Sequence, residues 1–324
     1  MDLGTAPSVP VSDGDIAFGT YRGSCTSTAI DLGFRFGLGR FVRLRHEKKL
    51  QRFWAVDEAI ALYGSVIDAG PVGMVSLWVF DRDAGTVLTD STSVLPPFVA
   101  RIDDNPMADP IAVARFLDHR VTLDNRGDTT RVSGRMERTK FTIGYDTPAA
   151  EPTTAVRPTT DGRDSSQRVV ISQRSTSLPV TGWLNADGHR YRFSEDATGM
   201  LEYAHGLVPT TTTWRRALAS GYAADGTAVG FTVGGDPEGV GNVVWIDGVP
   251  RGVGPTTITS DGWRIETEDG SLSVTLDVEY PHRRTVSLGP ISYRIVQPFG
   301  RWQGTLGDRT VELPGVCEIH DASW

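Results

Sequence analysis

The chain has 324 residues, 39% of them hydrophobic and 22% charged, which is typical of a globular protein with one or two domains. Its net charge of -8 argues against nucleic acid as a general partner, because phosphate backbones bind basic surfaces. The sequence has no apolar run of 18 residues and no basic and apolar leader at its N-terminus, so we expect no membrane span and a cytoplasmic location.

The first notable segment is residues 43–52, "RLRHEKKLQR", which are dense in positive charge. Two interpretations stay open for it: a strand edge whose charges face solvent, or a binding site for an anionic group. Residues 47–64 overlap this segment and contain helix formers throughout, but we interpret them as β-structure.

Two hairpins are predicted further along the first half. One covers residues 74–90 and turns at 83–85, and the other covers 120–136 and turns at 125–127. Residues 109–119, "DPIAVARFLDH", stay open between helix and strand, because the opening Asp and Pro are typical of a helix start.

A domain boundary is predicted near the middle of the chain, where residues 146–167 are rich in Pro, Thr and Asp and nearly lack apolar side chains. We place a linker or long loop at 151–167, between an N-terminal domain at 1–150 and a C-terminal domain at 168–324. The two cysteines, Cys25 and Cys317, are expected as free thiols unless the fold brings the chain ends together.

The second half shows a regular series of hairpin signals. Asp-Gly pairs supply the positive φ angles of type I′ turns, and residues 271–280 alternate between apolar and polar as in a strand with one buried face. We therefore predict an all-β chain that forms antiparallel barrels or sandwiches. The Asp-Gly pairs are Asp187-Gly188, Asp225-Gly226, Asp247-Gly248 and Asp269-Gly270.

Residues 198–216, "TGMLEYAHGLVPTTTTWRR", interrupt this series and do not read as a regular hairpin. They bring Glu202, Tyr203 and His205 close together in sequence, followed by Trp214. Either the segment is a polar loop, in which Glu202 and His205 pair on an exposed helical turn, or it is the chemical centre of the protein.

Several motifs occur in the order found in one protein family. With them the chain resembles a bacterial family related to AttH-like proteins and carotenoid 1,2-hydratases, and the resemblance covers residues 43–324. It implies two tandem lipocalin-like β-barrel domains. Relatives carry an Asp, an aromatic and a basic residue where this chain has Glu202, Tyr203 and His205. The motifs are "RFWAVDEAIALYGSVIDAG", "SLPVTGWLNADGHRYRF", "GMLEYAHG", "FGRWQGTL" and "EIHDASW".

The resemblance implies a cofactor-independent enzyme that uses acid–base catalysis on a hydrophobic small molecule such as a terpenoid, polyene or polyketide. Hydration, dehydration, isomerisation or cyclisation would need a carboxyl group that keeps its proton in an apolar pocket and aromatic faces that stabilise a cation. The catalytic candidates are Glu202, His205, His320 and Asp321. The substrate-binding candidates are Tyr203, Trp214, Trp245, Glu318 and Trp324.

Other interpretations stay open. A non-catalytic carrier of a lipid or other apolar ligand would use a similar pocket, and a carbohydrate-binding protein would expose Trp183 and Trp245. Trp214 also fits a core position, and Asp321 fits a role in ordering the chain end. No metal site is expected, because the histidines lack close ligand spacing. The sequence names neither the substrate nor the oligomeric state.

Overall fold

The alternation of apolar and polar residues produces strands throughout the part of the chain that the structure describes. In a computed structural model, the structure describes residues 1–32, 46–104, 111–159, 169–236, 238–259, 263–288 and 291–323. The first strands are β1 (Gly4–Thr5), β2 (Val11–Ser12), β3 (Asp15–Ile16), β4 (Gly19–Arg22), β5 (Glu47–Val56), β6 (Ile60–Asp68), β7 (Gly73–Asp81), β8 (Thr86–Leu95), β9 (Ala100–Ile102), β10 (Ile111–Phe116), β11 (His119–Arg126), β12 (Thr129–Met136) and β13 (Thr139–Asp146).

A 3-10 turn at Thr147–Ala149 follows β13. The remaining strands are β14 (Thr153–Pro158), β15 (Val169–Ala186), β16 (His189–Arg192), β17 (Thr198–Leu207), β18 (Thr211–Tyr222), β19 (Ala228–Gly234), β20 (Val243–Ile246), β21 (Val249–Gly252), β22 (Thr256–Ile258), β23 (Arg264–Thr267), β24 (Leu272–Leu288), β25 (Ile291–Leu306) and β26 (Arg309–Ser323).

Two sheets contain nearly all of these strands. The first has 15 strands in the order β8-β7-β6-β5-β17-β15-β13-β12-β11-β10-β9, with β1, β4, β14 and β16 attached beside this path. The second has 9 strands in the order β21-β20-β19-β18-β26-β25-β24-β23-β22. The first sheet curls into a nearly closed barrel and the second into a half-barrel, which confirms the all-β class with two lipocalin-like units.

The predicted hairpins of the first half are confirmed. Residues 47–64 form β5 and the start of β6, and residues 109–119 contain β10, so the open choice between helix and strand resolves to a strand. The β7–β8 and β11–β12 turns contain Gly85 and Gly127 at φ 64° and 66°. Glycine is favoured there because a Cβ is strained at positive φ.

The Asp-Gly pairs behave in two ways. At Asp247-Gly248 both residues have positive φ, 51° and 73°, as a two-residue type I′ turn requires. Asp187-Gly188 does the same between β15 and β16. At Asp225-Gly226 and Asp269-Gly270 the glycine has positive φ and the turn is longer.

The segment at 198–216 is not a regular hairpin, as predicted, but its interpretation as a polar loop is wrong. It contains all of β17 and the start of β18, which pair with β5 and with β26 in different sheets. The chain therefore passes from the first sheet to the second between Leu207 and Thr211. The predicted linker at 151–167 contains β14, and residues 160–168 lie outside the described residues. The domain boundary itself stays a prediction.

Aromatic side chains pack the two sheets together. Trp54 and Phe80 of the first sheet contact Phe299 of the second, with ring centroids 5.7 and 5.8 Å apart. Phe80 also stacks on Tyr280 at 5.2 Å. This layer is buried and fixes how the inner faces of the sheets oppose each other.

The two cysteines are free and lie in separate buried clusters, Cys25 beside β14 and β15 and Cys317 in the core of the second sheet. Among the described residues, no helix is long and apolar enough to cross a membrane.

Candidate active site

Three rows of side chains on the first sheet face the second sheet. Strand residues two apart share a face, so the register of β5, β17, β15 and β14 defines each row. The inner row carries charge, the middle row is uncharged and small except for Leu50, and the outer row has a cation at each end. The rows are Arg52–Glu202–Arg174, Leu50–Ala204–Ser172–Ala155 and Lys48–Gly206–Val170–Arg157.

The second sheet presents matching rows from β18, β26 and β25. Arg216 is the cross-strand neighbour of Glu318, and Gln297 binds the same carboxylate from β25. Trp214 neighbours His320 in the next row. Tyr293 lies one row further, across from Ala322.

Two buried carboxylates hold the sheets together through shared arginines. Arg52 Nη1 lies 3.1 Å from Glu202 Oε2 and 3.2 Å from Glu318 Oε2. Arg216 binds Glu202 through Nη1 and Glu318 through Nη2, the latter at 2.7 Å. Arg174 Nε donates to Glu202 Oε1 at 2.9 Å. All five side chains are buried, and we call them the ion cluster.

The ion cluster contains three cations and two anions. Burial alone would raise the pKa of the Glu202 carboxyl, but the charges of Arg216, Arg52 and Arg174 outweigh it and lower that pKa well below its ordinary value. Arg216 and Arg52 lower the pKa of Glu318 in the same way, against the effect of burial. Both carboxylates are therefore ionised, and one positive charge remains uncompensated within the cluster.

A hydrogen-bonded chain runs outward from Glu318. His320 Nε2 lies 3.2 Å from Glu318 Oε2, and His320 Nδ1 lies 2.7 Å from Tyr293 Oη. Burial lowers the pKa of His320 to about 4, although Glu318 acts in the opposite direction. Since Glu318 is an ionised acceptor, neutral His320 donates from Nε2 and accepts the Tyr293 proton at Nδ1. Trp214 stacks on the imidazole at 4.4 Å.

A cavity of about 480 Å³ lies between the facing rows. Tyr293 and Trp214 line it from the second sheet, and the small residues of the middle row, Ala204 and Ser172, form its floor. Ser172 Oγ is buried and has no hydrogen-bond partner among the described residues. The small floor leaves room for a ligand, and this unsatisfied hydroxyl offers it a polar contact.

Four of the candidate residues come together at this cavity. Glu202 and Trp214 line it, and Glu318 and His320 lie directly behind its wall. The structure contradicts the expectation that the Glu202 carboxyl lies in an apolar pocket with a raised pKa, because three guanidinium groups surround it.

Tyr203 and His205 lie on the opposite face of β17 from Glu202, since odd separations along a strand reverse the face. Tyr203 Oη binds Thr28 Oγ1 at 2.7 Å, and Tyr203 lines a second cavity of about 380 Å³ within the first sheet. His205 is buried between Thr28 O and Glu47 Oε1, 2.8 Å from each. The exposed pair of Glu202 and His205 on a helical turn is therefore wrong.

Three further candidates lie away from the cavity or outside the description. Asp321 is exposed and accepts a hydrogen bond from Thr213 Oγ1 at 3.0 Å. Trp245 is fully buried in the core of the first sheet and donates to Glu151 O at 2.9 Å. Trp324 lies outside the described residues.

Sequence reasoning missed the three arginines of the ion cluster, Gln297 and Tyr293. Only Arg52 lay within a segment singled out for its charge. The structure favours neither interpretation of residues 43–52 in full, because Arg52 and Lys48 are buried rather than solvated, and residues 43–45 are outside the described residues.

Comparison with solved structures confirms the predicted likeness to a hydratase at the level of the fold. A structure of CghA with Sch210972 matches with a TM-score of 0.54 and 14% identity, over 86% of this chain and 89% of that one. Kievitone hydratase from Nectria haematococca matches with a TM-score of 0.53 and 11% identity, over 93% and 97%.

A Nitrosomonas europaea protein provisionally assigned as AttH matches at 13% identity over 86% of this chain and 92% of that one, with a TM-score of 0.44 that is too low to add to this conclusion. A search of curated protein sequences found no match to the chain. A family model described as a domain of unknown function, DUF2804, matches residues 8–324. Because the match spans nearly the whole chain, the protein belongs to the DUF2804 family.

Proposed function

We propose that the protein is a cofactor-independent acid–base enzyme that binds a hydrophobic small molecule of the terpenoid, polyene or polyketide type in the cavity between the sheets. The reaction is a hydration, dehydration, isomerisation or cyclisation. The observation that carries the proposal is the chain Glu318–His320–Tyr293, which ends at the cavity wall. The likeness to a hydratase in fold agrees with it.

The charge around the cavity favours a negatively charged intermediate over a carbocation. Arg52, Arg174 and Arg216 line the cavity, and the ion cluster keeps one uncompensated positive charge. A cation that developed nearby would be repelled in this low-dielectric setting, whereas an enolate oxygen would be stabilised. We therefore place the reaction next to a carbonyl group, on an unsaturated carbonyl compound or its hydrated form.

Tyr293 is the group that exchanges a proton with the substrate. Burial raises the pKa of the Tyr293 phenol, so Tyr293 keeps its proton until it gives that proton to the carbon next to the carbonyl, and Arg52 stabilises the phenolate that results. Glu318 orients neutral His320, which accepts a hydrogen bond from the Tyr293 hydroxyl at Nδ1, and the reverse transfer returns the proton from carbon to Tyr293 in dehydration. Glu202 acts as a positioning residue, because it orients Arg52, Arg174 and Arg216.

Ser172 anchors a polar group of the substrate. Its hydroxyl is on the cavity floor without a partner among the described residues, and a buried unsatisfied hydroxyl costs free energy until a ligand binds it. The apolar side chains that flank this region, including Ile67 and Ile295, suit the hydrophobic part of the ligand.

The first test identifies the ligand and then follows proton exchange. Purified protein is denatured, and released organic molecules are identified by mass spectrometry. Unsaturated carbonyl compounds related to them are then incubated with the enzyme in D2O, and deuterium incorporation next to the carbonyl is measured. We expect exchange with the wild type, and at least about a hundredfold slower exchange in Tyr293→Phe with ligand affinity retained.

Tyr191→Phe is the matched control, because it removes a tyrosine hydroxyl that binds Asp81 away from the cavity. Equal exchange in Tyr293→Phe and Tyr191→Phe would refute the role of Tyr293. Tight binding without exchange by the wild type would favour the alternative, a carrier of apolar ligands, for which the cavity volume of about 480 Å³ is also sufficient.

A further inference from the structure

A row of basic residues, separate from the ion cluster, crosses the outer surface of the first sheet. Consecutive strands contribute one cation each, in direct cross-strand register, and a single Asn interrupts the row. All of these cations are exposed. The members of this basic row are Arg115, Arg120, Arg135, Lys140 and Arg190, with Asn185 between the last two.

The basic row lacks acidic partners. None of its five cations forms an ion pair with a described residue, and the nearest exposed pair is Arg138 with Asp187 at 2.7 Å. Neighbouring strands are about 4.8 Å apart, so the row spans roughly 24 Å. Like charges directly opposite each other destabilise a sheet, and the chain as a whole carries a charge of -8. An anionic partner would relieve the repulsion between the cations of the basic row.

Two large apolar side chains lie exposed at the same end of this sheet. Phe98 is 81% exposed and Leu117 is 90% exposed. Ala100 pairs with Ala114, so the residues that precede β9 and follow β10 lie beyond the same end of the strand pair. Leu117 is two residues from Arg115 of the basic row.

Both apolar residues also have strained backbones. The φ angle is 68° at Phe98 and 52° at Leu117, a region that bulky side chains rarely adopt. The two-residue turn between β10 and β11 requires a positive φ at Leu117, and neither Leu117 nor Phe98 is the Gly or Asn that turns favour at such positions, so exposed apolar side chains are unusual there.

We propose that this end of the first sheet docks on a membrane that contains anionic phospholipids. The basic row would contact the lipid phosphates, and Phe98 and Leu117 would insert among the acyl chains, as cations and apolar side chains do in peripheral membrane proteins. A nucleic acid would bind the cations but leave the two apolar side chains exposed to water. A membrane would bind both the cations and the apolar side chains, so we favour the membrane as the partner.

Vesicle co-sedimentation tests the proposal. The full chain is mixed with vesicles of pure phosphatidylcholine, or of an equimolar mixture of phosphatidylcholine and phosphatidylglycerol, at low and high salt. We expect binding to the anionic vesicles that weakens with salt. Arg120→Glu combined with Arg135→Glu should weaken binding at least about tenfold, and Leu117→Ser should weaken it several-fold at all salt concentrations.

The control pair Arg251→Glu with Arg283→Glu makes the same change in net charge at exposed positions of the second sheet, and should bind like the wild type. Circular dichroism confirms that each variant is folded. Equal loss in both charge-reversal pairs, equal binding to both vesicle types, or no vesicle binding by the wild type would overturn the proposal. Tight binding to a DNA duplex without vesicle binding would assign the surface to nucleic acid instead.

Discussion

Glu202 and Glu318 lie on strands of two different sheets, yet their carboxylates bind the same two guanidinium groups, those of Arg52 and Arg216. The four side chains close a ring across the gap between the sheets. The ring spans from the first sheet to the second, so it fixes the distance between the cavity floor and the cavity wall. Its stability and the geometry of the site are therefore coupled.

Removing one carboxylate should destabilise the fold strongly. Glu202→Gln leaves Arg52, Arg174 and Arg216 with a single buried anion, and breaking a buried ion pair costs about 3–5 kcal/mol. The free energy of unfolding, measured by urea denaturation at pH 7, should fall by that amount. The control Glu58→Gln breaks a pair in which Glu58 is 80% exposed, and should cost less than about 1 kcal/mol. Similar losses in the two variants would show that the ring does not hold the sheets.

His320 should make the fold sensitive to acid. Its folded pKa of about 4 is below the ordinary value of about 6.5, so the unfolded chain binds more protons between these pH values and stability falls as pH falls. From pH 7 to pH 5 the wild type should lose roughly 2 kcal/mol more than His320→Gln does. Urea denaturation of both proteins at the two pH values measures the difference. Parallel pH dependence would mean that His320 titrates normally in the folded state.

The Ser172→Ala substitution should weaken ligand binding and stabilise the ligand-free protein. Its hydroxyl is buried without a partner among the described residues, so its removal should stabilise the ligand-free protein by up to about 1–2 kcal/mol. Ligand affinity should fall about tenfold, because the substrate loses its anchor. Ser220→Ala is the contrasting control, since Ser220 Oγ accepts from Ser177 N at 3.1 Å and its loss should destabilise. Unchanged affinity in Ser172→Ala would remove this residue from the site.

A large residue on the cavity floor should block the site. Ala204→Trp fills part of the cavity of about 480 Å³, and ligand affinity should fall by more than about a hundredfold while circular dichroism stays unchanged. Ala224→Trp, at an exposed turn, is the matched control and should bind ligand normally. Normal binding by Ala204→Trp would place the ligand elsewhere, with the second cavity, beside Tyr203, as the next candidate.

The parts of the fold that depend on neighbouring residues were predictable from the sequence. The turn at Asp247-Gly248 follows from two residues that tolerate positive φ. The buried face of β24 follows from alternation at Leu272, Val274 and Leu276. The loop interpretation of residues 198–216 is wrong because it rested on the polarity of the segment alone. Threonine is β-branched and favours strands. On opposite faces of β17, Glu202 binds buried Arg52 and His205 binds the carbonyl oxygen of buried Thr28.

The candidate site was predictable only in part, because its partners are far apart in the chain. Arg52 is 150 residues from Glu202 and 266 from Glu318 in the sequence. No local sequence pattern therefore predicts that Arg52 binds these two carboxylates. One signal was present. Lys48, Leu50 and Arg52 alternate in step with buried Trp54, which places two cations on a buried face. Charged side chains on a buried face indicate buried partners of opposite charge. The expectation of a raised pKa for Glu202 is wrong because the partners of its carboxylate are arginines.

The two sheets contribute different parts of the cavity: the first sheet forms its floor, and the second sheet carries the polar side chains of its wall. The small residues of the floor, Ala204 and Ser172, belong to the first sheet, whereas Tyr293 and His320 belong to the second. On the proposed function, a substitution on the floor would change which molecules fit without altering Tyr293 or His320. The range of ligands and the chemistry of the site could then change independently, each through substitutions on one sheet.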